Sequence, residues 1–125
     1  MDTKVCIDTD VSIEILKNTN KASKLLDLTK DSEVYITTIS IFELLLRETN
    51  LEAIEKLLSK TAVLDFSELS ARRAAEIFKD LKKKGQMISI KDLFIASTTI
   101  SNNCMLATLN IKDFKNVKDL KLLDF

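Results

Sequence analysis

The chain has no histidine, no proline and one glycine, Gly85. Each absence removes a class of chemistry. Without histidine there is no Ser-His-Asp triad and no His-ligated zinc site. A phosphate-binding loop needs several closely spaced glycines, so neither a P-loop nor a dinucleotide fingerprint can be built. Without proline, turns fall to Asn, Asp, Ser and Lys, as at Asn18-Thr19-Asn20 and Asn102-Asn103. Charge of one sign is also missing: 19 Lys+Arg balance 19 Asp+Glu. No global basicity advertises nucleic acid, and any basic surface has to be local. No apolar run approaches the ~20 residues of a membrane span. The N-terminus lacks a basic region followed by a long apolar one, so no signal peptide is expected. Only two cysteines occur, Cys6 and Cys104, each beside a short apolar run and without metal-ligand spacing. They read as buried, reduced thiols of a soluble cytoplasmic protein.

What remains is 125 residues with 46% hydrophobic and 30% charged side chains. That length suits one domain, over residues 1–125, with a core large enough to fold without staples. Short apolar runs alternate with helical periodicity. Strands are expected at residues 4–7, 34–37, 62–64, 105–107 and, weakly, 122–123. Amphipathic segments at 11–17, 22–29, 41–48, 51–58, 68–84 and 91–102 read as helices. In the long helix, Leu69, Arg73, Ala74, Ile77, Leu81 and Lys84 sketch one stripe, partly apolar. The pattern predicts an α/β fold, a three-layer αβα sandwich with a parallel sheet of about five strands.

In such a sheet, residues just after strands and residues opening return helices meet at the carboxyl edge. Asp8 and Asp10 follow the first strand, Glu43 the second and Asp113 the fourth, while Asp92 opens a return helix. Singly, each acid has a structural explanation. Asp10 has the form of a helix N-cap. Ser40 to Glu43, Ser89 to Asp92 and Thr49 to Glu52 all fit the capping box. Together, carboxylates with no cation interleaved repel one another unless a cation neutralises them. With histidine absent, hard oxygen donors point to Mg²⁺, or to Mn²⁺, and to metal-activated water attacking a phosphodiester.

Four segments carry a resemblance to the PIN-domain nucleases, in particular the VapC-type toxin ribonucleases. "CIDTDVSIEIL" resembles their opening D-T-[NS] segment. "ISIFELLLR" is similar to their serine-to-glutamate segment, "GQMISIKDLFIASTTI" to their D-x-x-I-A helix, and "MLATLNIKDFKNV" to their T-x-N-x-x-D-F segment. The order and spacing agree over nearly the whole chain. The resemblance implies Asp8, Glu43, Asp92 and Asp113 as the catalytic set. Asp8 and Asp92 would be the main Mg²⁺ ligands, with Glu43 and Asp113 supporting. Thr9, Asp10, Ser40, Thr108 and Asn110 would be polar support. It also implies an RNA substrate, a cognate antitoxin, a homodimer and no membrane association.

The chain departs from the family at Asp10, where Asn or Ser is frequent, and at Leu109, where a basic residue is frequent. The D-x-D-x-[TV] motif of haloacid dehalogenase phosphatases also fits Asp8 to Val11, but no Gly-Asp pair follows for that mechanism. A PIN module that binds without cutting, its acids serving as caps, is the other alternative. A positive rim for phosphates would come from Arg47, Lys91, Lys112 and Lys115, which flank the acids. Phe42 and Phe94 are expected in apolar packing. Ile13, Leu16 and Leu44-Leu45-Leu46 are expected mainly in the core.

Overall fold

The computed structural model describes residues 3–125. Four short strands form one parallel sheet: β1 (Lys4–Ile7), β2 (Glu33–Thr37), β3 (Ala62–Leu64) and β4 (Met105–Ala107). Their spatial order is β3-β2-β1-β4. Every parallel connection requires a crossover, and helices supply it. α1 (Thr9–Lys17) and α2 (Asn20–Leu28) link β1 to β2. α3 (Thr38–Leu45) and α4 (Leu51–Leu58) link β2 to β3. α5 (Glu68–Lys83) and α6 (Ile90–Ser101) carry the chain back past β2 and β1 to β4, and a short α7 (Ile111–Phe114) follows. The strand order therefore reverses beside β1, with β4 as its outer neighbour. A crevice at the carboxyl ends of β1 and β4 is the expected ligand position of such a sheet.

The period-two alternation of the strands divides the core between two faces. Val5 and Ile7 of β1 join Val11, Leu25, Ile36, Leu44, Ile54 and Ala107 on one face. Cys6 points the other way, into a cluster with Ile77, Leu81, Leu93, Ile95, Leu106 and Phe114. Phe114 is fully buried, so α7 plugs this second layer. Both cysteines are buried and free. Among the described residues, no helix is long and apolar enough to cross a membrane.

Several helix starts differ from the sequence expectation, each for a local reason. Asp8, not Asp10, is the N-cap of α1: its side chain accepts from the Thr9 backbone N–H at 2.8 Å. Asp10 lies in the first turn instead. Thr37 caps α3 by accepting from Ser40 N at 3.1 Å, so the helix begins three residues before the expected residue 41. Ser40 is then inside the helix, and Ser40 to Glu43 is not a capping box. Nor is Thr49 to Glu52: Asn50 holds the N-cap of α4 in a left-handed conformation, with no side-chain cap bond. Ser89 does cap α6, accepting from Asp92 N at 3.2 Å.

In α5 the inward stripe is Ser70, Ala74, Ile77 and Leu81. Leu69 is 61% exposed and leaves the expected stripe. Ser70 replaces it because its hydroxyl meets that of Ser101 on α6 at 2.9 Å, a close approach that a leucine side chain would block. The sheet has four strands where about five were expected. Leu122 forms only an isolated parallel bridge to Leu106, although the backbone there is bonded on both sides of Leu106.

Candidate active site

Asp8 stands where β1 gives way to α1, at the crevice beside β4. Its backbone N–H donates to Ala107 O at 2.9 Å, tying the two strand ends together. Thr108, the first residue past β4, donates its hydroxyl to Asp8 Oδ2 at 2.8 Å and accepts from Asn110 N at 3.0 Å. Asp8 is 4% exposed and Thr108 2%. A carboxylate that deep resists ionisation. Burial pushes Asp8 up to about 7, Asp10 adds repulsion, and the Thr108 and Thr9 hydrogen bonds oppose the rise.

Asp10 reaches the same crevice from the first turn of α1. Its Oδ2 accepts from the Leu109 backbone N–H at 3.2 Å. Its Oδ1 is buried and has no hydrogen-bond partner. Burial raises its proton affinity, and the charge of Asp92 adds to the effect.

Asp92 sits in the first turn of α6, pinned through its backbone by Ser89. Burial raises it too, with Asp113 and Glu43 contributing repulsion. The Ser89 hydroxyl and the Lys91 ammonium pull the other way. Asp113 is exposed on α7 and meets the group as a neighbouring charge.

Glu43 lies in the middle of α3 and faces the crevice across Thr9. Thr9 Oγ1 donates to Glu43 Oε1 at 2.7 Å and lies 2.9 Å from Ser40 Oγ. Glu43 Oε2 is 3.5 Å from Lys91 Nζ. An acidic edge without an interleaved cation was the expectation, and this ion pair corrects it. Lys91 belongs to the first turn of α6, one residue before Asp92, and so reaches the acids rather than standing clear of them.

The remaining expected cations diverge. Lys112 and Lys115 are exposed on either side of the buried Phe114. Arg47 follows the far end of α3, half-buried, with an unpaired Nε. Phe94 packs on Phe66 with ring centroids 4.3 Å apart, as expected, whereas Phe42 is 56% exposed. Leu44 is core, but Leu45 and Leu46 face outward.

Asp8 and Asp10 from the β1–α1 junction, Glu43 from α3, Asp92 from α6 and Asp113 from α7 thus meet as neighbouring charges around one crevice. Sequence reasoning missed the Leu109 amide, which has no side-chain signature. It also missed Thr37 as the cap that sets the phase of α3 and hence the direction of Glu43. The Thr37-Thr38 pair where β2 ends and α3 begins was the available signal.

The donors are all carboxylate and hydroxyl oxygens, the chemistry a hard divalent cation prefers. The orphaned Oδ1 of Asp10 is a buried acceptor awaiting a positive partner. Among the described residues, no three acidic or thiol side chains form a ready-made metal cage. Mg²⁺ does not need one, because it keeps several waters and takes one or two carboxylates plus substrate phosphate. The residues fit such an ion.

Comparison with known proteins points to one family. The family model described as the PIN domain matches residues 5–120. Ribonuclease VapC2 of Rickettsia felis is 31% identical over 130 residues, covering 98% of this chain and 93% of that protein. Ribonuclease VapC3 of Methanocaldococcus jannaschii is 42% identical over 94 residues, covering 73% and 93%. The crystal structure of VapBC2 from Rickettsia felis, bound to a DNA fragment from their promoter, superposes with a TM-score of 0.86 at 27% identity. It covers 98% of this chain and 99% of that one.

Proposed function

This chain belongs to the PIN-domain family, alongside the VapC ribonucleases, and on that premise we propose that it is a Mg²⁺-dependent endoribonuclease, the toxin of a toxin–antitoxin pair. The observation that carries the reading is the convergence of five acids from separate elements on the β1–β4 crevice, three of them held against repulsion and burial.

In this reading Asp8 and Asp92 hold the ion, and Glu43 and Asp113 add negative charge around it. When bound, the ion supplies charge stabilisation at the scissile phosphate and makes water more acidic. The chain's own residues do the rest. Thr108 and the Thr9 amide hold both oxygens of Asp8 and so set the orientation of its carboxylate. Ser89 fixes the start of α6 and with it Asp92, whose carboxylate accepts a proton from the attacking water. Thr9 and Ser40 orient Glu43. Asn110, exposed beside Thr108, faces incoming substrate. Lys112 and Lys115 on α7 meet the phosphates on either side of the cut.

A cognate antitoxin would restrain the enzyme. A groove of about 410 Å³, lined by Ile15, Leu16, Leu26, Val34, Ala53 and Leu57, offers an amphipathic helix of such a partner apolar surface. A homodimer is part of the same reading, with exposed Leu45 and Leu46 as available surface.

The test is cleavage of single-stranded RNA by purified protein in Mg²⁺ and in EDTA. Cleavage requires Mg²⁺, and Asp92→Asn lowers it by about 100-fold or more while the chain stays folded. Retained cleavage by Asp92→Asn rules the assignment out.

A further inference from the structure

A groove outside the acidic crevice shares residues with it. Its volume is about 570 Å³, and it is lined from α1, the start of α2, the segment after β4 and residues 122–125. Thr108 and Leu109 belong to both places. The Thr108 hydroxyl donates to Asp8 and the Leu109 backbone N–H to Asp10, and both residues line the groove. From α1, Glu14 also lines it. Glu14 follows Asp10 by four residues, which is about one helical turn and about 6 Å along the helix. The groove therefore begins within about one turn of the acids.

Its lining has two characters. Leu109 and Ile111 are 38% and 44% exposed, large apolar side chains left open to solvent. Phe125 lines the same groove, half-buried. Glu14, Lys21 and Asp124 are charged, and among the described residues none of the three is in an ion pair.

These characters select an occupant. A groove of this size suits a small organic group held by apolar walls and a few polar ones. The faces of an unpaired RNA base pack on such walls, and its Watson–Crick edge is free to be read by side chains. Ionised carboxylates only accept hydrogen bonds, and they repel phosphate. They therefore suit a base edge rich in N–H donors, not a length of backbone. Guanine presents N1–H and N2–H side by side, a match for one carboxylate. Uracil presents a single N–H between two carbonyl oxygens, which face a carboxylate unfavourably.

We propose that this groove is a base-reading subsite, which takes the unpaired base beside the scissile phosphate and selects guanine. Glu14 accepts from the Watson–Crick edge, Leu109 and Ile111 cover the faces, and Lys21 meets the next phosphate. The proposal rests on the nuclease reading above and concerns which RNA that crevice cuts.

A single-stranded RNA pool of randomised sequence, cut by the full chain in Mg²⁺ and sequenced at the new ends, tests it. Guanine is enriched at one position beside the cut. On matched oligonucleotides, kcat/KM for guanine at that position exceeds that for uracil by about tenfold or more. Glu14→Gln brings the ratio down to about threefold or less. Leu109→Ala, which keeps the backbone amide on Asp10, lowers it too. Calorimetry with Mn²⁺ shows that Glu14→Gln still binds the ion, which separates loss of the base from loss of the metal. Cleavage by wild type without a guanine preference overturns the proposal, leaves the nuclease reading standing and frees the groove for a protein partner. A guanine preference that both variants retain in full also overturns it. No cleavage of any sequence in the pool overturns both.

Discussion

Asp8→Asn in the metal-free protein gives the sharpest energetic prediction. The carboxyl moves from an ordinary 3.8 to about 7, chiefly through burial and then through repulsion from Asp10. Each factor of ten in proton affinity is worth about 1.4 kcal/mol, so an ionised Asp8 removes roughly 4 kcal/mol of folding free energy. The folded chain holds this proton more tightly than the unfolded chain. The stability it contributes is fully present below about pH 4 and is lost as the pH rises to and through about 7. Asparagine has no proton to lose. Its oxygen still accepts from Thr9 N, and its amide group donates to Thr108 Oγ1. In EDTA at about pH 8, Asp8→Asn is therefore more stable than wild type by a few kcal/mol, and its melting temperature is higher by on the order of 10 °C. At about pH 4 the advantage disappears. Urea and thermal unfolding at the two pH values measure this. An Asp8→Asn protein less stable than wild type at pH 8 refutes the reasoning, because Asp8 would then be a cap whose charge helps the fold.

Ser89→Ala removes the cap that holds α6 at its first turn, costs about 1 kcal/mol in an unfolding titration, and weakens Mn²⁺ binding by freeing Asp92. Lys112→Ala/Lys115→Ala leaves stability within about 0.5 kcal/mol. The same change raises KM for RNA and lowers the dependence of binding on log salt by about one to two. An unchanged salt dependence would show that α7 does not meet the phosphates.

Much of the scaffold was legible in the sequence because its strands are short runs dominated by apolar residues. β1, β3 and β4 begin and end where apolar runs of three or four residues stand between polar turns. α4 was legible for the complementary reason, one apolar face between Asn50 and Ser59. The acids at 8, 43, 92 and 113 could be anticipated at one edge because parallel topology sends strand ends and helix starts there. Their division of labour was not legible. Asp8 and Asp10 lie two residues apart, about half a helical turn, and which of them caps α1 depends on where β1 releases the chain. The pairing of Glu43 with Lys91 joins residues far apart in sequence and depends on how α3 and α6 face each other. The same holds for the Leu109 amide on Asp10. Leu69 and Ser70 exchanged places because a hydroxyl pair lets α5 and α6 approach closely. The final segment failed as a strand because only Leu122 pairs with β4.

The central claim is that the acidic crevice between β1 and β4 holds a divalent ion. An anomalous difference map from a crystal of this protein grown with Mn²⁺ tests it directly. The account predicts a peak within oxygen-ligand distance, about 2.0–2.3 Å, of carboxylates from both Asp8 and Asp92. A crevice without a peak at saturating Mn²⁺, with Asp8 still hydrogen-bonded to Thr108 and Thr9, would contradict it.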